Sequence, residues 1–184
     1  MGEDWGEMMN RDPLSHGANR LDGYNDWMLG NRISYEFDLK GPSMTIRTAC
    51  SSALTCLNEA CTAIQQGTCN GAIVAGCTLI MAPGTTQSMT EKGILSPDGS
   101  CKSFSADANG YARGEAITAI YVKPLDAAIR DGNPVRAVIR AVTANADGKT
   151  QGITNPNGEA HEAMIRKAYR MAGITVSNSS PDAH

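Results

Sequence analysis

The amino-acid sequence predicts an α/β fold, and three consecutive segments carry this prediction. Residues 44–48 alternate apolar and polar side chains, as a half-buried strand does. Residues 51–66 place apolar side chains at helical spacing, and residues 72–75 form a short apolar run. A strand, a helix and a second strand in this order predict a βαβ crossover, which is right-handed in nearly all sheets.

The helix of this unit has signals at both ends. Ser51 and Ser52 suit its start, and Gly67 follows its last apolar turn, where glycine ends many helices. Its apolar stripe consists of Leu54, Leu57, Cys61 and Ile64. The sequence therefore predicts that Cys50 lies where the strand ends and the helix begins.

The remaining elements follow without repeats or low-complexity linkers, so we expect one continuous α/β unit. Residues 83–111 are rich in Gly, Ser, Pro and Asp, with a turn signal at Pro97-Asp98-Gly99, and predict a long structured loop. Strands are predicted at residues 116–122 and 135–142, and helices at residues 125–130 and 158–172.

Composition narrows the classes of function. The chain has 184 residues, of which 41% are hydrophobic and 5% aromatic, so we expect a core of small aliphatic side chains. A net charge of −3 with scattered Lys and Arg argues against a nucleic-acid partner. No apolar run reaches the roughly 18 to 20 residues of a membrane span, and the acidic start lacks the layout of a signal peptide. We expect a cytoplasmic protein that binds neither nucleic acid nor a membrane.

Six cysteines are spread along the chain without the spacing of a zinc site or a disulfide framework. There is no Cys-x-x-Cys sequence, and the three histidines lie far apart. We therefore expect reduced thiols and no bound metal. The six are Cys50, Cys56, Cys61, Cys69, Cys77 and Cys101.

Cys50 is the candidate catalytic residue. Unpaired N–H groups and the positive end of the helix dipole favour a thiolate at a helix N-terminus, and the thiolate is the reactive form of cysteine. The same amides can receive the oxyanion that develops on an attacked carbonyl. Most free cysteines, however, are small buried core residues. The position alone leaves both interpretations open.

Four segments carry a family resemblance in their order and spacing. They are GNRISYEFDLKGPS at residues 30–43, TACSSA at 48–53, GILSPDGSCKSF at 93–104 and ANGYARGEA at 108–116. With them the chain resembles the β-ketoacyl synthase domain of a polyketide synthase. The sequences GKTQGI at 148–153 and EAHEAMIR at 159–166 are most similar to the highly reducing, iterative type of fungal multidomain synthases.

This resemblance implies a thiolase-like layered α/β/α fold, of which the chain would form mostly the first, nucleophile-bearing half. It also implies that residues 1–184 are a partial domain. The family's first strand and helix and its two histidine motifs are not recognisable in the sequence. His184 falls about where the first of those motifs would open.

The activity that the resemblance implies is acyl transfer followed by condensation. Cys50 would take an acyl chain as a thioester from the phosphopantetheine arm of an acyl carrier protein or from coenzyme A. A malonyl-type extender would then lose carbon dioxide, and its enolate would attack that thioester, in polyketide or fatty acid biosynthesis. The implied partners are the acyl carrier protein, neighbouring synthase domains and a second copy in a homodimer. This segment would bind no cofactor, and the isolated chain would be inactive.

Other interpretations remain beside this one. A non-catalytic remnant or dimerisation module would keep the same fold with Cys50 incidental, and a thiolase-like or chalcone-synthase-like enzyme matches residues 95–115 less well. Asp107 and Glu115 could pair as acid and base, although carboxylates beside glycine turns more often bond backbone amides. Residues 110–115 lack the glycine spacing of a dinucleotide loop and predict a tight turn. His161 is expected on a solvated helix face.

Overall fold

Helices and paired strands alternate along the part of the chain that the structure describes. The structure is a computed structural model, and it describes Asp4, residues 6–8, Gly23 and residues 25–175. The elements are α1 (Met28–Glu36), a 3-10 turn (Ala49–Ser51), α2 (Ser52–Gln65), β1 (Ala72–Thr78), α3 (Pro83–Glu91), β2 (Ala116–Val122), α4 (Leu125–Arg130) and α5 (Gly158–Met171). Strands β1 and β2 are hydrogen-bonded neighbours in a two-stranded sheet. This mixture confirms the predicted α/β class.

The chain divides into two compact units. Unit 1 contains the described residues before Thr48 together with Ala75–Ile120, and unit 2 contains Thr48–Val74 with the described residues from Tyr121 onward. Among the described residues, the buried apolar side chains are Ala82 in unit 1, and Val74 and Ala128 in unit 2. Each unit therefore buries few apolar side chains. Within the same residues, no helix has both the length and the apolar character needed to cross a membrane.

Helix α2 matches its prediction closely. It begins one residue after the predicted start, behind the 3-10 turn, and it ends at Gln65, two residues before the predicted closing glycine. Gly67 has a φ of 71°, its N–H donates to the Ile64 carbonyl (3.0 Å), and the Thr68 N–H donates to the Ala63 carbonyl (2.9 Å). These two bonds form a Schellman motif, in which a left-handed residue closes the helix.

Four further elements also confirm their predictions. Strand β2 and helix α4 have the predicted bounds, and α5 ends one residue earlier than predicted. Strand β1 continues to Thr78, three residues beyond the predicted run. Local apolar spacing and turn residues were sufficient to place all of these elements.

The strand predicted at residues 44–48 is wrong, because this segment has no regular secondary structure. Its polar side chains contact helix α1 and the residues before it instead. Thr45 Oγ1 donates to the Asp26 carbonyl oxygen (2.8 Å), Arg47 lies 3.2 Å from the Asp26 carboxylate, and Ser43 Oγ donates to Asn31 Oδ1 (2.8 Å). An alternating pattern forms a strand only where a neighbouring strand pairs with it. Because residues 44–48 form no strand, the described residues do not form the predicted βαβ crossover.

Two other predictions are also wrong. Residues 135–142 form no strand, and Val138 and Ile139 are 50% and 44% exposed, so the apolar pattern finds no neighbouring strand among the described residues. The first third of the predicted loop 83–111 is helix α3, which has Pro83 in its first turn. The sequence patterns also predict no element over α1, which spans nine residues.

Candidate active site

Cys50 lies in the middle of the 3-10 turn, directly before helix α2, and it is exposed. The first N–H groups of a helix lack intrahelical partners and carry the positive end of the helix dipole. The structure therefore confirms the predicted position at a helix N-terminus. It also contradicts the interpretation of Cys50 as a buried core residue.

The residue before Cys50 is held in an unusual backbone conformation. Ala49 has a φ of 55°, in the left-handed region, which only Asp38 and Phe104 share among the described non-glycine residues. Holding such a residue there costs on the order of 1–3 kcal/mol, and these conformations concentrate at functional sites. The turn that presents Cys50 is therefore strained and needs support from its surroundings.

Four hydroxyl side chains supply that support. Ser52 Oγ accepts the Thr48 N–H (2.9 Å) and donates to the Ala49 carbonyl oxygen (2.7 Å). Ser51 Oγ donates to the Thr48 carbonyl oxygen (2.6 Å) and lies 2.9 Å from Thr48 Oγ1. Thr48 Oγ1 lies 3.1 Å from Thr55 Oγ1, in the first turn of α2. We call Thr48, Ser51, Ser52 and Thr55 the hydroxyl cluster.

Sequence reasoning identified only part of this cluster. It treated Ser51 and Ser52 as helix-start residues and missed Thr48 and Thr55. The signal was present, because the four residues follow the i, i+3, i+4, i+7 spacing that places side chains on one helix face.

The cluster leaves the helix end open to a ligand. Ser51, the N-cap residue of α2, makes no side-chain hydrogen bond to the helix, and the first turn contains no acidic residue. The positive end of the dipole is therefore not compensated by a carboxylate there. An exposed thiol at such a position can attack an acyl carbonyl, and nearby amides can stabilise the oxyanion that forms.

The two carboxylates considered as an acid and base pair have other partners. Glu115 Oε1 accepts the Ile80 N–H at 2.6 Å, which confirms the expected bond to a backbone amide. Asp107 accepts the Ser105 hydroxyl and lies 3.9 Å from Lys102 Nζ. These contacts favour structural roles for both residues.

The tight turn predicted at residues 110–115 is wrong, because this segment forms an isolated bridge at Tyr111 and no turn. Gly110 has a φ of 131°, and a Cβ placed on it would lie 2.4 Å from the Ser96 nitrogen. The Ser96 N–H donates to the Tyr111 carbonyl oxygen (3.0 Å), and Tyr111 pairs with Leu95 in a parallel bridge. Only glycine allows this close approach.

His161 is the histidine that lies within the described residues. His161 is exposed on α5 as expected, and its Nε2 lies 3.3 Å from Asp147 Oδ1. The predicted correspondence of His184 to a family motif lies outside the described residues. No group of three or more His, Cys, Asp or Glu side chains in residues 25–175 is arranged to hold a metal ion.

The other five cysteines differ from Cys50 in place or exposure. All six are free, and Cys101 is the other exposed one. Burial raises the pKa of the Cys61 thiol, which makes that thiol less reactive at neutral pH. Cys101 Sγ accepts the Ala112 N–H at 3.2 Å and lies in a loop. Cys50 is therefore the exposed thiol at a helix N-terminus.

Among the described residues, each unit has a cleft on its surface. The cleft of unit 1 is mainly apolar and includes Met81, Pro83 and Thr90. The cleft of unit 2 is mainly polar and includes Arg140 and Lys167. Neither lining includes Cys50, so the reactive turn is defined by its backbone and hydroxyl contacts alone.

Comparison with protein families covers most of the chain. The model of the beta-ketoacyl synthase N-terminal domain matches residues 2–128, and that of the C-terminal domain matches residues 136–179. The turn with Cys50 lies within the first match.

Curated relatives include fungal highly reducing polyketide synthases. The chain is 60% identical over 174 residues to the highly reducing polyketide synthase sphB of Aspergillus fumigatus. The aligned region covers 95% of this chain and 7% of that protein. It is 56% identical over 179 residues to the highly reducing polyketide synthase gloL of Glarea lozoyensis, with 97% of this chain and 7% of that protein covered. The chain thus spans less than a tenth of the length of these relatives.

Solved structures give the same relationship. The ketosynthase from module 6 of the bacillaene synthase of Bacillus subtilis has a TM-score of 0.84 and 36% identity, over 95% of this chain and 29% of that chain. The oxazolomycin ketosynthase domain OzmH KS7 of Streptomyces albus has a TM-score of 0.80 and 37% identity, over 82% of this chain and 27% of that chain. The fold is therefore the thiolase-like α/β fold of ketosynthases, and the chain belongs to the β-ketoacyl synthase family.

Proposed function

We propose that this chain is the nucleophile-bearing part of a β-ketoacyl synthase that performs decarboxylative Claisen condensation in polyketide biosynthesis. The observation that carries the proposal is the exposed Cys50 in a strained, hydroxyl-braced turn at the N-terminus of α2. The names of the relatives, highly reducing polyketide synthases and ketosynthases, support it. Fatty acid biosynthesis is the other pathway class that this chemistry would serve.

The first step of the proposed reaction loads the acyl chain. The Cys50 thiolate attacks the carbonyl carbon of an acyl thioester, which forms a new C–S bond and a tetrahedral oxyanion. The N–H groups at the start of α2 stabilise that oxyanion. The C–S bond to the donor then breaks, and its thiolate leaves and takes up a proton. The donor is a phosphopantetheine arm on an acyl carrier protein or coenzyme A.

The second step forms the carbon–carbon bond. A malonyl-type thioester loses carbon dioxide, and the electron pair of the broken bond forms an enolate. The enolate carbon attacks the acyl carbonyl on Cys50, the Cys50 C–S bond breaks, and the cysteine returns to its thiolate. Neither histidine motif of the family is present in the sequence, so the proposal gives no residue of this chain a role in decarboxylation.

The proposed partners follow from this chemistry. They are an acyl carrier protein, the neighbouring domains of a multidomain synthase and a second copy of the protein in a homodimer. The polyketide synthase name of the sphB relative, and its length, of which this chain spans 7%, support the first two. The cytoplasmic location and the partial nature of the domain stay predictions from the sequence.

The test is replacement of Cys50 in the full-length protein. Cys50→Ala should reduce acyl loading and β-ketoacyl product by about 1,000-fold or more, because the nucleophile is lost. Acyl loading is measured by peptide mass spectrometry and product by chromatography. Cys56→Ala, in the half-buried part of α2, is the matched control and should keep most activity. Product formation by Cys50→Ala, or an equal loss in Cys56→Ala with an unchanged circular dichroism spectrum, contradicts the proposal.

A further inference from the structure

We infer that Ser52 is a positioning residue for Cys50, because its hydroxyl holds Ala49 in the left-handed conformation that presents the thiol to an acyl thioester. The inference rests on the proposed function of Cys50. The two hydrogen bonds of the Ser52 hydroxyl end at backbone groups of Thr48 and Ala49 rather than at the thiol. It acts through the backbone on the N-terminal side of Cys50.

Two hydrogen bonds of one hydroxyl carry the inference. Ser52 Oγ accepts the Thr48 N–H at 2.9 Å and donates to the Ala49 carbonyl oxygen at 2.7 Å. The hydroxyl thus binds a group before and a group after the φ angle of Ala49, which is 55°. Because Ser52 is the first residue of α2, both bonds tie the strained residue to a regular helix.

The other members of the hydroxyl cluster do not reach Ala49. The bonds of Ser51 and Thr55 end at Thr48, one residue before the strained position. A serine at position 52 also braces the turn without adding a negative charge beside the thiol. A carboxylate there would accept the Thr48 N–H but could not donate to the Ala49 carbonyl at neutral pH.

Without the Ser52 hydroxyl, Ala49 would return to the right-handed or extended conformations that alanine prefers. The chain would then leave the turn in another direction, and the Cys50 sulfur would move relative to a bound thioester. A displacement of about 1 Å between reacting groups costs on the order of 100-fold in rate. The expected effect is therefore on the loading step rather than on substrate binding.

The first test compares variants of the full-length protein by single-turnover acyl loading of Cys50, measured by peptide mass spectrometry. Ser52→Ala should load about 10- to 100-fold more slowly, with KM changed less than about threefold. Ser52→Thr keeps a hydroxyl and should load at a rate within about threefold of the wild type. The matched control is Thr62→Ala, which removes a hydroxyl that bonds the Asn58 carbonyl within the same helix (2.9 Å). It should load at the wild-type rate. A Ser52→Thr variant as slow as Ser52→Ala overturns the inference.

The decisive test places Ser52→Ala in an Ala49→Gly background. Glycine adopts the left-handed conformation without a steric cost, so the penalty of Ser52→Ala should fall below about fivefold there. An equal penalty in both backgrounds, or wild-type loading by Ser52→Ala alone, overturns the inference. Circular dichroism and thermal melting are recorded for each variant, and rates are normalised to the folded fraction. Acyl loading by Cys50→Ala would instead overturn the proposed function, so the two failures are distinguishable.

Discussion

Helices α2 and α3 begin in opposite ways. At α3, the buried carboxylate of Asp4, 4% exposed, accepts the Met81 N–H (3.1 Å), the Ala82 N–H (3.3 Å) and the Thr85 hydroxyl (2.7 Å). At α2, the contacts come from neutral hydroxyls within eight consecutive residues, and an exposed cysteine precedes the helix.

Whether a helix end is structural or reactive depends on which groups compensate its dipole. The Asp4 carboxylate compensates the positive end of the α3 dipole, and it accepts the N–H groups of the two residues before the helix. Two further side chains of unit 1 bind the segment that leads into α3. Glu115 accepts the Ile80 N–H, and Arg113 donates to Thr86. The first turn of α2 has no carboxylate, so the positive end of its dipole stays available to a thiolate or an oxyanion.

The largest expected effect is the loss of stability when the Asp4 carboxylate beside α3 is removed. Asp4→Ala should lower the free energy of unfolding by about 2 kcal/mol, because two N–H groups and one hydroxyl lose their acceptor in a buried place. Urea denaturation of the full-length protein measures the change.

Asp4→Asn serves as the conservative variant and should cost less, since the amide oxygen still accepts one or more of these bonds. Asp126→Ala removes an exposed carboxylate from the first turn of α4 and should change stability little. A wild-type stability for Asp4→Ala would show that the carboxylate does not hold α3.

A smaller effect is expected in the reactivity of the two exposed cysteines. Cys50 should react with iodoacetamide at least about tenfold faster than Cys101 at pH 7, because only Cys50 lies at an uncompensated helix N-terminus. Peptide mapping of the full-length protein at short reaction times gives both rates in one sample.

Ser51→Asp sharpens this measurement by giving α2 the kind of charge that α3 has. The added carboxylate disfavours a neighbouring thiolate, so Cys50 labelling should slow severalfold while Cys101 labelling stays constant. Equal labelling rates of Cys50 and Cys101 in the wild type would show that the helix N-terminus does not increase the reactivity of Cys50.

The smallest effect concerns the pH dependence of stability. The Thr85 hydroxyl holds the pKa of Asp4 below its usual range, together with the Met81 and Ala82 N–H groups and the charge of Arg113, while burial opposes this shift. Because the pKa is lower in the folded than in the unfolded state, the contribution of Asp4 is full above the unfolded value of about 3.9. It is lost as the pH falls through the folded value.

The difference in unfolding free energy between the wild type and Asp4→Asn should therefore be constant above about pH 5 and shrink below about pH 4. This subtraction is needed because Asp98 and Asp131 also have lowered pKa values, through hydrogen bonds from Lys102 and Lys123. Urea denaturation at a series of pH values measures it. A difference that does not change between pH 6 and pH 3 would contradict the role of the Asp4 charge.

The amino-acid sequence predicts correctly the elements whose signals are local. The apolar spacing of α2 and the glycine that ends it, the bounds of β2 and α4, and the place of Cys50 before a helix all depend on residues within a few positions of each other. The segments around Cys50 also identified the family, because their order and spacing are specific.

Features that depend on distant partners are not predictable from local patterns. Residues 44–48 and 135–142 have strand-like patterns, but backbone N–H and C=O groups form a strand only where another strand pairs with them. The residues at the start of α3 are bonded by Asp4, which lies 77 residues or more away in the chain, so no local pattern could predict this contact. The strain at Ala49 belongs to the same class, since a left-handed alanine persists only when surrounding bonds such as those of Ser52 hold it.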